Sequence, residues 1–143
     1  MTINFSKRVD AIKERFAAVS KPEERYDYLM ELGRKLPAYP NELRTPERIV
    51  QGCQSILYLA AWLEGGWLHF AADSEALISK GLAALLIEAY SGLSPEEILL
   101  NPPVFLKELG LFASLSPNRS NGLLHIYLRM KQEALGYLVA KKT

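Results

Sequence analysis

The middle of the chain restricts the fold most, because the apolar pattern changes period there. Residues 55–63 and 67–72 are short runs of aliphatic and aromatic side chains parted by Glu64-Gly65-Gly66, whereas apolar positions on either side recur at helical spacing. Such runs around a glycine pair predict a β-hairpin. Ile49-Val50 is a further extended candidate, separated from the next by Gln51-Gly52-Cys53-Gln54. The expectation is a three-stranded antiparallel sheet, with Cys53 at the tip of the first hairpin and its side chain directed away from the body of the domain.

The flanking segments are helical. Phe5, Val9, Ile12, Phe16 and Val19 are spaced as the stripe of an amphipathic helix. Ser20-Lys21-Pro22-Glu23 has the form of a capping box with proline in the first turn. The helix it would open has Tyr26, Leu29, Met30, Gly33 and Leu36 on its inner face, and Pro37 and Pro40 close it. These two helices are expected to form an antiparallel pair.

Beyond the hairpin, Asp73-Ser74 looks like a helix start, followed by Leu77, Ile78, Leu82, Leu85, Leu86 and Tyr90 at helical spacing until Gly92. Gly81 lies inside that helix at a cost of about 1 kcal/mol relative to alanine, which implies close backbone packing. Ser94-Pro95-Glu96-Glu97 opens a short helix, residues 104–109 form another, and Ser116-Pro117 starts the last. That helix turns Leu123, Ile126, Tyr127, Met130, Ala134 and Tyr137 inward. The fold class is therefore α+β, with two N-terminal helices, a three-stranded antiparallel sheet and several C-terminal helices, in one domain over residues 1–143.

With 143 residues, 49% of them hydrophobic, a sizeable single core is expected. Seventeen basic against sixteen acidic side chains leave a formal charge of +1, too little to attract nucleic acid or an anionic membrane surface. One cysteine cannot close an internal disulfide or hold a metal centre through several thiolates, which suits a reducing cytosol. The N-terminal ten residues lack the apolar core of a secretory signal, so a cytoplasmic protein is expected. His69 and His125 have no second ligand at zinc spacing and read as packing or surface residues, and no phosphate-binding glycine loop is present. No cofactor is expected.

The chemical lead is Cys53. A lone cysteine is most often a small buried hydrophobe. Here Gly52 permits a tight turn, and Gln54-Ser55 would be costly to bury without partners, so an accessible thiol is the competing reading. Arg119 stands near the start of the last helix, the end least favourable to a cation. Its place there calls for a reason.

Ordered along the chain, Arg25-Tyr26, Leu32-Gly33, Leu36-Pro37, Gln51-Gly52-Cys53-Gln54-Ser55, Ala72-Asp73-Ser74, Lys80-Gly81-Leu82, Leu109-Gly110-Leu111 and Ser116-Pro117-Asn118-Arg119-Ser120-Asn121-Gly122-Leu123 resemble the SufE family of sulfur acceptors. The pattern departs from the family at Arg48, where asparagine is usual, and at Tyr58, where tryptophan is common; both flank the cysteine loop. The resemblance implies a fold similar to the iron–sulfur scaffold IscU. It implies that Cys53 accepts sulfane sulfur from a pyridoxal-phosphate cysteine desulfurase, stimulates that enzyme, and passes the sulfur toward iron–sulfur scaffold proteins. It makes Arg119 a residue near the cysteine loop or against the desulfurase, with Gly52, Gln54 and Ser55 shaping the loop.

No His or Lys adjoins Cys53, so a sluggish nucleophile that wakes on docking is expected, its pKa near the ~8.5 of a free thiol until then. Two alternatives remain: a non-covalent adaptor that activates a desulfurase, and a single-cysteine redox sensor. The SufE and CsdE subtypes are not distinguished, and a homodimer is left open.

Overall fold

The computed structural model describes residues 4–141. Helix α1, Phe5–Ala17, is capped by the Asn4 side chain, which accepts the Lys7 amide at 2.9 Å, and it buries Val9, Ile12 and Phe16. Helix α2, Pro22–Arg34, starts one residue later than the Ser20 box predicts. Its N-cap is Lys21, which makes no side-chain bond. Pro22, with φ set and no amide to satisfy, occupies the first turn with Glu23 and Glu24, and these favour the start without Ser20.

Helix α3, Leu77–Tyr90, occupies the centre and buries Leu82, Ala83, Leu85, Leu86, Ala89 and Tyr90. The expected pairing of α1 with α2 is corrected: both pack on α3, and they meet each other where Phe16 stands edge-on to Tyr28 at 5.1 Å. The cause lies in two glycines. A Cβ at Gly81 would fall 2.1 Å from the Leu29 carbonyl oxygen, and one at Gly33 would fall 2.9 Å from the Gly81 amide nitrogen. Backbone therefore meets backbone between α2 and α3, as Gly81 implied from sequence.

Strands β1, Leu57–Glu64, and β2, Trp67–Ser74, pair antiparallel with Leu57 opposite Ser74, Ala61 opposite Phe70 and Glu64 opposite Trp67. Gly65 and Gly66 form the two-residue turn at φ +60° and +90°, a conformation that favours glycine at both places. Leu57, Leu59, Leu68, Phe70 and Ala72 face the core. Trp62 and Trp67 are partly exposed at 41% and 42%, and Trp62 stacks across the strands on His69 at 5.8 Å.

Among the described residues the sheet has two strands, not three. Ile49 makes only an isolated antiparallel bridge to Tyr58, with the Val50 amide donating to Leu57 O at 2.9 Å. A 3₁₀ turn at Pro46–Arg48 precedes it immediately, and Arg129 donates to Glu47 O and Ile49 O, so carbonyls that a third strand would use are already taken.

The Asp73-Ser74 helix start is also corrected. β2 runs through Ser74, whose hydroxyl accepts the Ala76 amide at 3.2 Å and donates to Ile56 O at 2.8 Å, and α3 follows three residues on. Helix α4, Pro95–Leu100, carries the expected capping box: Ser94 Oγ accepts the Glu97 amide at 3.2 Å and the Glu97 carboxylate accepts the Ser94 amide at 3.4 Å. Helix α5 is Phe105–Glu108, and a further turn not foreseen from sequence, α6, spans Leu111–Ser114 after Gly110 at φ +71°. Helix α7, Pro117–Lys141, closes the domain and buries Leu123, Ile126, Tyr127, Met130 and Ala134. The Tyr90 hydroxyl donates to Asn101 O at 2.7 Å and that of Tyr127 to Ile98 O at 3.2 Å, tying α4 to α3 and α7.

Candidate functional site

The loop that carries Cys53 rises from a buried anchor, Val50, and reverses at Gly52, where φ is +89°. It then folds back over α7. The expectation that the thiol projects away from the domain is corrected: Cys53 is half-buried and its sulfhydryl donates to Gly122 O at 3.9 Å. The inward turn places an apolar, weakly hydrogen-bonding group beside Leu82 and Ile126.

A cavity of about 30 Å³ lies beside the thiol, walled by Gln54, Ser55, Ser79, Arg119 and the two aliphatic side chains. Burial pushes the Cys53 thiol above its ordinary pKa. At neutral pH the closed loop therefore holds a thiol rather than a thiolate, which counts against a sensor cysteine of lowered pKa.

The structure gathers Cys53, Gln54, Ser55 and Arg119 around one cavity. Gly52 shapes the turn without lining it. Arg119 stands in the first turn of α7, with its amide donating to Ser116 O at 3.1 Å.

One neighbour went unnoticed in the sequence. The His125 imidazole lies flat against Gly52: a Cβ there would sit 2.6 Å from its Cδ2, Cγ and Nε2. Gly122 was missed as well, although its carbonyl accepts the thiol. A signal for this helix face existed, since Arg119, Gly122 and Ile126 recur at spacings of three and four on a helix whose buried stripe includes Ile126.

On the other side of the loop Ser55 also borders a groove of about 510 Å³ with Arg44, Ile56, Tyr58 and Asp73. The Asp73 carboxylate meets Arg44 Nη1 at 2.6 Å and Lys80 Nζ at 3.3 Å. Partial burial pushes its pKa up, but the hydrogen bonds and charges of Arg44 and Lys80 outweigh that and hold it below the usual carboxylate range. Tyr58 stacks on Tyr39 at 6.0 Å, and the Arg44 guanidinium lies 5.4 Å from the Tyr39 ring. A phenol at position 58 thus joins the strap of residues 39–44 to the sheet. Among the described residues no group of three His, Cys, Asp or Glu side chains is placed to hold a metal ion, and no helix is long and apolar enough to cross a membrane.

Fold and site together define an α+β domain that carries one thiol on a short loop folded against its last helix. The family model described as "SufE: Fe-S metabolism associated domain" matches residues 10–134, and the chain belongs to the SufE family. It is 40% identical over 126 residues to an uncharacterized SufE-like protein of Synechocystis, covering 88% of this chain and 79% of that protein. It is 38% identical over 116 residues to the sulfur acceptor protein CsdE of Escherichia coli, covering 80% and 79% of the two chains. A SufE-like protein of Arabidopsis thaliana, named chloroplastic/mitochondrial, is 38% identical over 129 residues, which are 90% of this chain but 35% of that longer one. Among solved structures, a hypothetical protein of Thermus thermophilus superposes with a TM-score of 0.77 at 30% identity, covering 92% and 96% of the two chains.

Proposed function

We propose that the chain is a sulfur acceptor and carrier whose Cys53 takes sulfane sulfur from the cysteine persulfide of a pyridoxal-phosphate cysteine desulfurase. In this reading it stimulates that enzyme and passes the sulfur on to iron–sulfur cluster assembly in a reducing cytosol. The observation that carries the reading is the chain's lone cysteine, set on a glycine-turned loop beside a small cavity, in a member of the SufE family. The family model's association with Fe–S metabolism and the name of the CsdE relative support the same chemistry.

The transfer balances without an oxidant. A Cys53 thiolate attacks the terminal sulfur of the donor persulfide, a new S–S bond forms at Cys53, and the donor's S–S bond breaks with its electron pair leaving on the donor cysteine. The proton lost from Cys53 is matched by one taken up at the donor thiolate. Because burial disfavours the thiolate, docking of the desulfurase has to lift the loop or supply positive charge before attack. Arg119, already at the cavity wall, is assigned to stabilising the anionic sulfur, and Gly52, Gln54 and Ser55 to the loop's shape.

When the loop recloses, the small cavity beside the thiol leaves room for an added sulfur atom. The absence of a second cysteine prevents the chain from discharging its own persulfide as an internal disulfide. Intact mass spectrometry after incubation with a desulfurase and cysteine tests the proposal. One sulfur atom added to the wild type and none to Cys53→Ser is expected. Sulfur retained by the serine variant would move the chemistry away from Cys53, and desulfurase stimulation that survives in it without transfer would move the function to a non-covalent adaptor.

A further inference from the structure

We infer that Arg129 is a positioning residue for Cys53, holding the stem of the cysteine loop so that only its tip, residues 51–55, can swing. The inference rests on the reading of Cys53 as acceptor. Arg129 Nη1 donates to Ile49 O at 3.1 Å, Nη2 donates to Glu47 O, and Nε meets Glu133 Oε1 at 3.1 Å. The side chain is 19% exposed and all three nitrogens are engaged, two of them on the backbone just ahead of the loop. A planar fork can bridge two carbonyls in this way, and an ammonium cannot reproduce both bonds in fixed geometry.

The next residue, Val50, is buried and bonded to Leu57 O, while on the far side the Ser74 hydroxyl donates to Ile56 O at 2.8 Å. Both ends of the loop are thus pinned. Between them, among the described residues, the segment 51–55 is tied to the helices by a single hydrogen bond, the long one from the thiol to Gly122 O at 3.9 Å. Gly122 and Arg129 are seven residues apart on α7, about two turns, so one helix face sets the stem and receives the thiol. The arginine fixes the pivot from which the thiol reaches its carbonyl and its cavity. Glu133 orients the guanidinium but touches no loop atom in these bonds.

The test uses the full chain and three variants, Arg129→Met, Arg129→Lys and Glu133→Gln, each read by the rate of Cys53 alkylation with a maleimide, by thermal melting, and by sulfur loading from a desulfurase and cysteine. With the stem released, the closed thiol is less populated, so Arg129→Met is expected to alkylate about tenfold faster. Arg129→Lys should follow at least threefold, despite its retained charge and a melting point near wild type. Glu133→Gln should stay within twofold. Arg129→Lys decides the matter should Arg129→Met fail to fold. Wild-type alkylation rates in both arginine variants, or an equal acceleration in Glu133→Gln, would overturn the inference. Alkylation requires no sulfur transfer, so a wild-type chain that never gains sulfur would sink the acceptor reading alone.

Discussion

Replacing Gly52 with alanine loads the closed cysteine loop in two ways. Its φ of +89° is disfavoured for an L-residue by roughly 1–2 kcal/mol. The new Cβ would also stand 2.6 Å from three atoms of the His125 ring. Carbon contacts settle at about 3.5–4.0 Å, and overpacking of this kind costs about 1–3 kcal/mol. Both penalties disappear when the loop lifts from α7, so the closed state loses about 2–5 kcal/mol relative to the open one. At ~1.4 kcal/mol per factor of ten, the open population rises about thirty- to several-thousandfold, capped at the reactivity of an unprotected thiol. The assay is Cys53 alkylation at fixed pH, alongside thermal melts that separate loop opening from global unfolding. In the double variant Gly52→Ala with His125→Ala the ring clash is gone while the backbone strain remains. Alkylation should fall back by about tenfold from the single glycine variant, a coupling of at least about 1 kcal/mol between the two sites. A Gly52→Ala chain that alkylates at the wild-type rate, or a double variant no slower than the single, would refute the steric account.

Three further outcomes are expected. Gly81→Ala forces α2 away from α3, because its Cβ would meet Leu29 O at 2.1 Å; it should lose about 1–2 kcal/mol even after a helix-propensity gain near 1 kcal/mol, and a melting point unchanged by calorimetry would contradict the close packing. Cys53 is raised by burial, so its contribution to stability is complete below the pKa of an unfolded thiol and is lost as pH rises through the folded value. Urea melts should show the wild type weakening at alkaline pH relative to Cys53→Ser, and parallel curves would argue against a buried thiol. Asp73 is held low once Arg44 and Lys80 outweigh its partial burial, so its contribution is present above the unfolded carboxylate value near ~3.9 and lost as pH falls through the folded one. Asp73→Asn should be less stable than wild type at neutral pH, with the gap closing in acid; a gap constant down to the acid transition would refute the ionic role.

The legible parts of the sequence were those decided by near neighbours. Periodicity located α1 and the long α7, Ser94 and Glu97 marked the box that opens α4, the Gly65-Gly66 pair marked the hairpin, and Gly81 announced a close helix contact. What failed depends on distant partners. Ile49-Val50 has the composition of a strand, but Arg129, 80 residues downstream from Ile49, claims its carbonyl. Ser74 resembles a cap because its hydroxyl does bind an amide two residues on, yet it closes β2 instead of starting α3. The resemblance marked Cys53 and Arg119, and the structure brings them to one cavity. The inward direction of the thiol and the imidazole against Gly52 depend on how α7 lies across the loop, and no local pattern states that.

The hairpin has a consequence for company. A two-stranded ribbon would ordinarily offer two open flanks for another chain to zip onto. Here the flank of β2 is occupied where Leu68 exchanges bonds with Gly92 and Leu93 and where the Phe70 amide donates to Ser91 Oγ at 3.0 Å. The flank of β1 meets Val50 at Leu57, and the Tyr137 hydroxyl donates to Ala61 O at 3.2 Å. At those positions a visiting chain finds main-chain groups already engaged, with side chains left to grip.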